Sequence, residues 1–302
     1  MRLYYCFVTG TTVLAGILCG HEANEALRFV WRDAILLTVG FLAWGVNQIF
    51  SDYLDRKEDS INAPHRPMVT GALHPRPALL LSTIFMLLFA AASAFVSLWT
   101  LPMLAVGAVL NAAYSLLKRV PVVNFLIYAL AITCCALYGY TGTTNKCPDI
   151  AVIVLTTMLI LPIHCLMCHN SYYKDIAGDR IAGVRTLQTC LPQGISLAVS
   201  VMLFSIHILQ MVFLVKPIFL AADLLPFVAM LIHTILLLIL MSLLLKNLKK
   251  QTFHKATCLN CQLCVAMLYT PMLMRSAFML IPEILSLTAI QLLFFWYDDE
   301  KE

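Results

Sequence analysis

Long apolar runs separated by short polar connections make up most of this chain. A membrane span needs about 20 apolar residues, within a range of about 17–25. Runs of that order cover 3–20, 34–50, 78–98, 101–117, 121–141, 150–169, 194–215 and 224–245. One more stretch, 258–297, is too long for a single straight span and is interrupted by Arg275 and Pro282. It reads either as one span plus a surface helix or as two spans. Residues 3–20 read as a first span, because no small-residue cleavage pattern follows them. Only 51–77, 170–193 and 246–257 are longer connections, and none has room for a soluble domain. Backbone groups inside a bilayer must satisfy one another, so the runs predict helices. The expected fold is an all-α, multi-pass transmembrane bundle, with residues 1–302 forming a single integral membrane domain.

Composition agrees with this pattern. Of 302 residues, 61% are hydrophobic and 12% charged, whereas an ordinary soluble domain carries about 25% charged residues. The formal net charge is +4 with no long basic block, so the expected partner is the lipid bilayer and not nucleic acid. Most of the eleven cysteines lie inside apolar runs and read as reduced packing residues. Basic residues are distributed unevenly. The connections after even-numbered spans carry thirteen: Arg56, Lys57, Arg66, Arg76, Lys118, Arg119, Lys174, Arg180, Arg185, Lys246, Lys249, Lys250 and Lys255. The opposite side carries four before the last stretch: Arg28, Arg32, Lys146 and Lys216. The positive-inside rule assigns the richer side to the cytoplasm. The acidic tail Asp298-Asp299-Glu300 has no assigned side.

Two short polar stretches on that basic side hold five aspartates. The first carries Asp52, Asp55 and Asp59 at i, i+3 and i+7, which share a face if the helix of 34–50 continues. The second carries Asp175 and Asp179 at i and i+4, again on one face. Carboxylates at a membrane edge are expensive and mark function by default. Two facing carboxylate groups repel unless cations lie between them. Mg²⁺ suits them, because it takes oxygen ligands, keeps several waters and bridges carboxylates to phosphate. Arg56, Lys57, Arg66, Lys118, Arg180 and Arg185 supply charge for a phosphate group. Beside an apolar bundle interior, the implied ligand is a diphosphate carrying a hydrocarbon tail, that is, an isoprenoid diphosphate. Metal and cations stabilise such a leaving group, and a dry cavity protects the allylic cation. Tyr53, Tyr114, Tyr138, Tyr172 and Tyr173 are candidates to face that cation. Asp33 and Asp223, which belong to neither cluster, read as solvated loop charges.

These stretches resemble the motifs of the UbiA superfamily of intramembrane prenyltransferases. The first, Asn-Asp-x-x-Asp-x-x-x-Asp followed by Arg-Pro-x-x-x-Gly, is similar to Ser51-Asp52-x-x-Asp55-x-x-x-Asp59 and Arg66-Pro67-x-x-x-Gly71. The second, Asp-x-x-x-Asp-Arg-x-x-Gly-x-x-Thr, is similar to Asp175 through Thr186, with Asp179, Arg180, Gly183 and Arg185 in register. A Tyr-x-x-x-Lys pattern ending the fourth span is matched by Tyr114 and Lys118. The resemblance implies a bundle of about nine helices with a central cavity opening to the cytoplasmic side. It also implies two rough halves, 1–142 and 143–302, each with one aspartate motif. By the same resemblance, Asp52, Asp55, Asp59, Asp175 and Asp179 are the catalytic and Mg²⁺-binding residues. Ser51, Arg66, Tyr114, Lys118, Lys174, Arg180 and Arg185 become substrate-binding candidates. Two departures stand out. Ser51 replaces the usual Asn, and Tyr172 and Lys174 stand where many relatives carry further acids.

Three functional readings follow. The first is transfer of the prenyl group to an acceptor, releasing diphosphate. The second is a terpene cyclase, in which the substrate's own double bonds capture the cation. The third is a non-catalytic lipid-binding or transport protein, for which the paired aspartate motifs have no use. Remaining signals read as structural. Cys258, Cys261 and Cys264 form one helical stripe without a fourth iron–sulfur ligand, since position 268 is Leu268. Cys165 and Cys168 with His164 and His169 have weak zinc-like spacing inside a span. His169 and Asn170 lie near the second motif and are candidates for the cavity mouth.

Overall fold

A computed structural model describes residues 3–23, 29–215, 224–248 and 253–297. Arg28, Lys216, Asp223, Lys249, Lys250 and the tail Asp298-Asp299-Glu300 lie outside the described residues. Among the described residues there are helices and no strands. In chain order they are α1 (Cys6–Ala23), α2 (Trp31–Leu54), α3 (Arg56–Asn62), α4 (Pro67–Thr70), α5 (Pro75–Val96), α6 (Thr100–Leu117) and α7 (Val123–Thr144). There follow α8 (Ile150–Ser171), α9 (Ile176–Ala182), α10 (Leu187–Cys190), α11 (Gln193–Gln210), α12 (Leu224–Asn247), α13 (His254–Leu273) and α14 (Leu280–Tyr297). A 3₁₀ turn, Leu3–Tyr5, leads into α1. Ten helices among the described residues are long and apolar enough to cross a membrane. The ambiguous stretch 258–297 resolves into two of them, α13 and α14, with Arg275 between them and ion-paired to Glu22 of α1. That raises the expected nine to ten helices of membrane length.

Burial separates the helices into central and peripheral. The apolar window of α13 is 83% buried and that of α6 only 6%. The most enclosed helix is also the least apolar of the ten. A helix that faces protein instead of lipid is free to carry Asn260 and Thr270, which bond to neighbouring helices or to its own backbone. Its three cysteines are all buried, which fits the packing stripe. Central α7 packs against α1 at backbone distance. A Cβ on Gly16 would lie 1.9 Å from the Ala136 carbonyl oxygen, and one on Gly139 would lie 2.3 Å from that of Val13.

Asp33 corrects its sequence reading. It is fully buried at the start of α2, accepting from the Val30 N–H (2.8 Å) and Thr143 Oγ1 (3.3 Å) and pairing with His21 Nε2 (2.8 Å). A buried carboxylate needs such partners, and here they tie α1, α2 and α7 together.

Candidate functional site

Both aspartate motifs sit where a long helix gives way to a short one. The α2 ladder does not continue straight through the first motif. It breaks at Asp55 (φ −90°, ψ 3°), and α3 starts at Arg56. Two bonds carry the chain through this kink, Asp55 N–H to the Ser51 carbonyl (2.9 Å) and Asp59 N–H to the Asp55 carbonyl (2.8 Å). Asp52 therefore belongs to α2 and Asp59 to α3, which corrects the expectation of one uninterrupted helix. The second motif keeps its i, i+4 relation, because Asp179 N–H donates to the Asp175 carbonyl (2.8 Å) across the first turn of α9. Helices α3 and α9 pack against each other, which brings the two motifs together.

The loop residues of the motifs have local physical roles. Pro67 takes the first turn of α4, where its missing N–H costs nothing, and Gly71 closes that helix at φ +81°. Gly183 closes α9 at φ +69°, again in the left-handed region that favours glycine. Thr186 caps α10, its hydroxyl accepting from the Thr189 N–H at 3.3 Å. These positions shape the loops and carry no reactive chemistry.

A cavity of about 190 Å³ opens between the motifs. Ser51, Asp55, Asp59, Arg66, Lys118, Lys174, Asp175 and Asp179 line its polar end. Lys118 caps α6 and places Nζ 2.6 Å from Asp55 Oδ1. Arg66 donates to Asp59 and, at 3.3 Å, to Asp52 Oδ1, which also accepts from Gln48 Nε2 at 2.6 Å. Burial pushes the Asp59 carboxyl up to about 6, with Asp55 and Asp52 pushing the same way and Arg66 pulling against them. Asp52 lies outside the cavity lining but is tied to it through Arg66. Arg180 and Arg185 are exposed and also lie outside the lining.

Among the described residues no three His, Cys, Asp or Glu side chains are gathered closely enough to enclose one metal ion. Mg²⁺ with a phosphate ligand needs no such cage, since one or two carboxylates plus phosphate oxygens and water suffice. Carboxylates on both sides of one cavity, interleaved with Arg66 and Lys118, therefore fit a metal–diphosphate head.

The other end of the cavity is aromatic. Tyr114 and Tyr172 meet through their hydroxyls at 3.0 Å, and burial raises the Tyr172 phenol well above its usual range, so it stays neutral. From Tyr114 the rings continue to Tyr128 (5.7 Å), Trp44 (6.4 Å) and Tyr5 (4.9 Å). All five line the cavity. Sequence reasoning found Tyr114 and Tyr172 and missed Tyr5, Trp44, Tyr128 and Asn111. The other tyrosine candidates have different surroundings. Arg56 stacks over Tyr53, Tyr138 bonds Ser93 and Tyr173 bonds Ser196. His169 and Asn170 do not line the cavity. They are buried, His169 bonded to Gln188 and the Ser196 carbonyl, Asn170 to Ser200 and Asn260.

Comparison with known proteins agrees with this arrangement. The UbiA prenyltransferase family pattern matches residues 10–262. A digeranylgeranylglyceryl phosphate synthase of Natronomonas pharaonis is 28% identical over 194 residues, covering 63% of this chain and 66% of that protein, just under two thirds of its length. The apo structure of a UbiA homolog from Aeropyrum pernix K1 superposes with a TM-score of 0.72 at 15% identity, covering 90% of this chain and 98% of the other. A UbiA homolog from Archaeoglobus fulgidus, bound to DMAPP and Mg²⁺, does so at 0.58 and 16% identity, covering 97% and 95%. With its own paired aspartate motifs and helical bundle, the chain is a member of the UbiA prenyltransferase family.

Proposed function

We propose that this protein ionises an allylic isoprenoid diphosphate with Mg²⁺ and transfers the prenyl group to an acceptor, releasing diphosphate. One observation carries the reading. A single cavity has carboxylates and cations from both motifs at one end and five aromatic rings at the other. That polarity matches a diphosphate head and a hydrocarbon tail. The Archaeoglobus fulgidus relative, solved with DMAPP and Mg²⁺, supports the ligand class.

The roles follow from position. Asp55, Asp59, Asp175 and Asp179, with Asp52 behind them, would hold Mg²⁺, which when bound neutralises the charge of the departing diphosphate. Arg66, Lys118 and Lys174 bind the phosphate oxygens, and Ser51 offers a hydroxyl at the same end. Arg180 and Arg185 attract the anion from the exposed rim. Tyr114 sits at the junction, its hydroxyl bonded to Tyr172 and its ring beside Tyr128. The aromatic faces stabilise the allylic cation and keep water from it. By the distribution of Lys and Arg, the polar end opens to the cytoplasm. The whole chain acts as one membrane domain.

A second reading, cyclisation of the same substrate without an acceptor, is favoured by the length of the ring array. The test uses purified protein with Mg²⁺ and dimethylallyl, geranyl, farnesyl or geranylgeranyl diphosphate, with and without lipid and aromatic alcohol acceptors. Diphosphate release is expected. A hydrocarbon product without acceptor selects cyclisation, and no release under any condition refutes both readings.

A further inference from the structure

A second polar cluster lies far from the aspartates, inside the membrane-spanning part of α11, α12, α13 and α14. None of its residues lines the diphosphate cavity. Three helices there repeat one pattern, a polar residue with a methionine one turn away. The pairs are His207 and Met211 at the end of α11, His233 and Met230 in α12, and Thr270 and Met274 at the end of α13. Helices α11 and α13 run away from the aspartate end and α12 runs back toward it. In all three, the methionine is therefore one turn farther out than the polar residue, which gives two stacked layers.

The outer layer is sulfur. Met211, Met230 and Met274 are 0%, 7% and 7% exposed and pack into a cluster of their own, separate from the main core and flanked by Leu159 and Ile208. The inner layer is polar. His233 is held by Thr270 Oγ1 at Nδ1 (3.2 Å) and by Glu283 at Nε2 (3.7 Å). His207 is fully buried, and among the described residues neither of its ring nitrogens has a hydrogen-bond partner. An imidazole in that state is costly and calls for a ligand. The backbone changes at the same level, where α11 passes into a π-helical turn at Met211–Val215. Such turns are concentrated at functional sites.

Thioethers with an imidazole are soft ligands, and they select copper(I) over hard cations. Glu283 is 6% exposed and lies 3.7 Å from His233 Nε2, beside the site. We propose that Met211, Met230, Met274 and His207 bind one copper(I) ion at the end of the bundle opposite the aspartates. Binding would join α11, α12 and α13 at that end.

The test loads the full-length protein in detergent with copper(I) under anaerobic reducing conditions, in competition with bicinchoninate. The wild type is expected to withdraw one ion per chain. The Met211→Leu/Met230→Leu/Met274→Leu variant keeps side-chain volume and is expected to bind at least 100-fold more weakly at unchanged helicity. His207→Phe is expected to lose at least tenfold. Because the chain has free cysteines, the ligands are identified by X-ray absorption on selenomethionine-labelled protein, where copper–selenium scattering is expected. Equal affinity in the triple variant, absence of selenium from the copper shell, or no ion withdrawn from the chelator would each overturn the proposal.

Discussion

Replacing Lys118 by methionine removes one positive charge from the polar end of the cavity and keeps most of the side chain's bulk. The structure sets the expected effect. Lys118 Nζ lies 2.6 Å from Asp55 Oδ1, with the two side chains 14% and 22% exposed. Among the described residues, the cavity lining sets Asp55, Asp59, Asp175 and Asp179, with Asp52 behind them, against Arg66, Lys118 and Lys174. The substitution therefore raises the excess of negative over positive groups from two to three. A unit charge at about 4 Å in an effective dielectric of about 20 is worth about 4 kcal/mol. Partial solvent access and side-chain rearrangement leave roughly 1.5–3 kcal/mol of that. The two ligands of the site have opposite charge, so they respond in opposite directions. The KM for the prenyl diphosphate is expected to rise about 10- to 100-fold, at about 1.4 kcal/mol per decade. The Mg²⁺ concentration for half-maximal rate is expected to fall several-fold, because Asp55 loses its compensating ammonium. Lys118→Arg restores the charge and both constants. The assay is steady-state diphosphate release over a grid of Mg²⁺ and substrate concentrations. Parallel weakening of both ligands, or no change in either, would refute the assignment of Lys118 as counter-charge and phosphate ligand.

Other substitutions probe other parts of the structure. Asp55→Ala or Asp175→Ala is expected to lower diphosphate release by at least three orders of magnitude with normal membrane insertion, and near-normal turnover in either contradicts the metal assignment. Ser51→Asn, which restores the residue usual at that position, is expected to keep turnover within a few-fold, and complete inactivation would give Ser51 a role of its own. Gly183→Ala forces a side chain into φ +69° and is expected to cost about 1 kcal/mol of stability, read from thermal unfolding in detergent. Trp44→Leu and Tyr128→Leu are expected to leave diphosphate release within a few-fold while shifting product toward water-quenched prenyl alcohol, measured by gas chromatography of the extract.

The helices and the two motifs were legible in the sequence because each depends on local pattern. Apolar length marks a span, and i, i+3, i+4 spacing places Asp175 and Asp179 on one face. The kink at Asp55 was not legible, since no proline or glycine announces it and two backbone bonds of helical spacing still bridge it. The aromatic wall was missed for a different reason. In a lipid-immersed helix both faces are apolar, so periodicity does not identify the inward one. Trp44, Tyr128 and Tyr5 look like ordinary span residues until the bundle is assembled. Asp33 was misread because its partners His21 and Thr143 come from helices distant in sequence. The low hydropathy of α13 was a usable signal, since a span that carries Asn260 and Thr270 must find its partners inside the protein.

The separation of charge and aromatic rings has a structural origin. The carboxylates and cations sit on short helices and caps at the ends of α2, α6 and α8. The rings sit on the spans (Trp44, Tyr114 and Tyr128), on the turn before α1 (Tyr5) and on the cap of α8 (Tyr172). On the proposed reading, an allylic cation formed at the polar end would be flanked by these aromatic faces, with the carboxylates and cations behind it. Leaving-group chemistry would thus depend on short segments whose geometry Pro67, Gly71 and Gly183 shape. The fate of the cation would then depend on residues from several long helices, where one substitution changes the wall without touching the polar end. One bundle can in this way keep the ionisation step constant while the acceptor or the product changes.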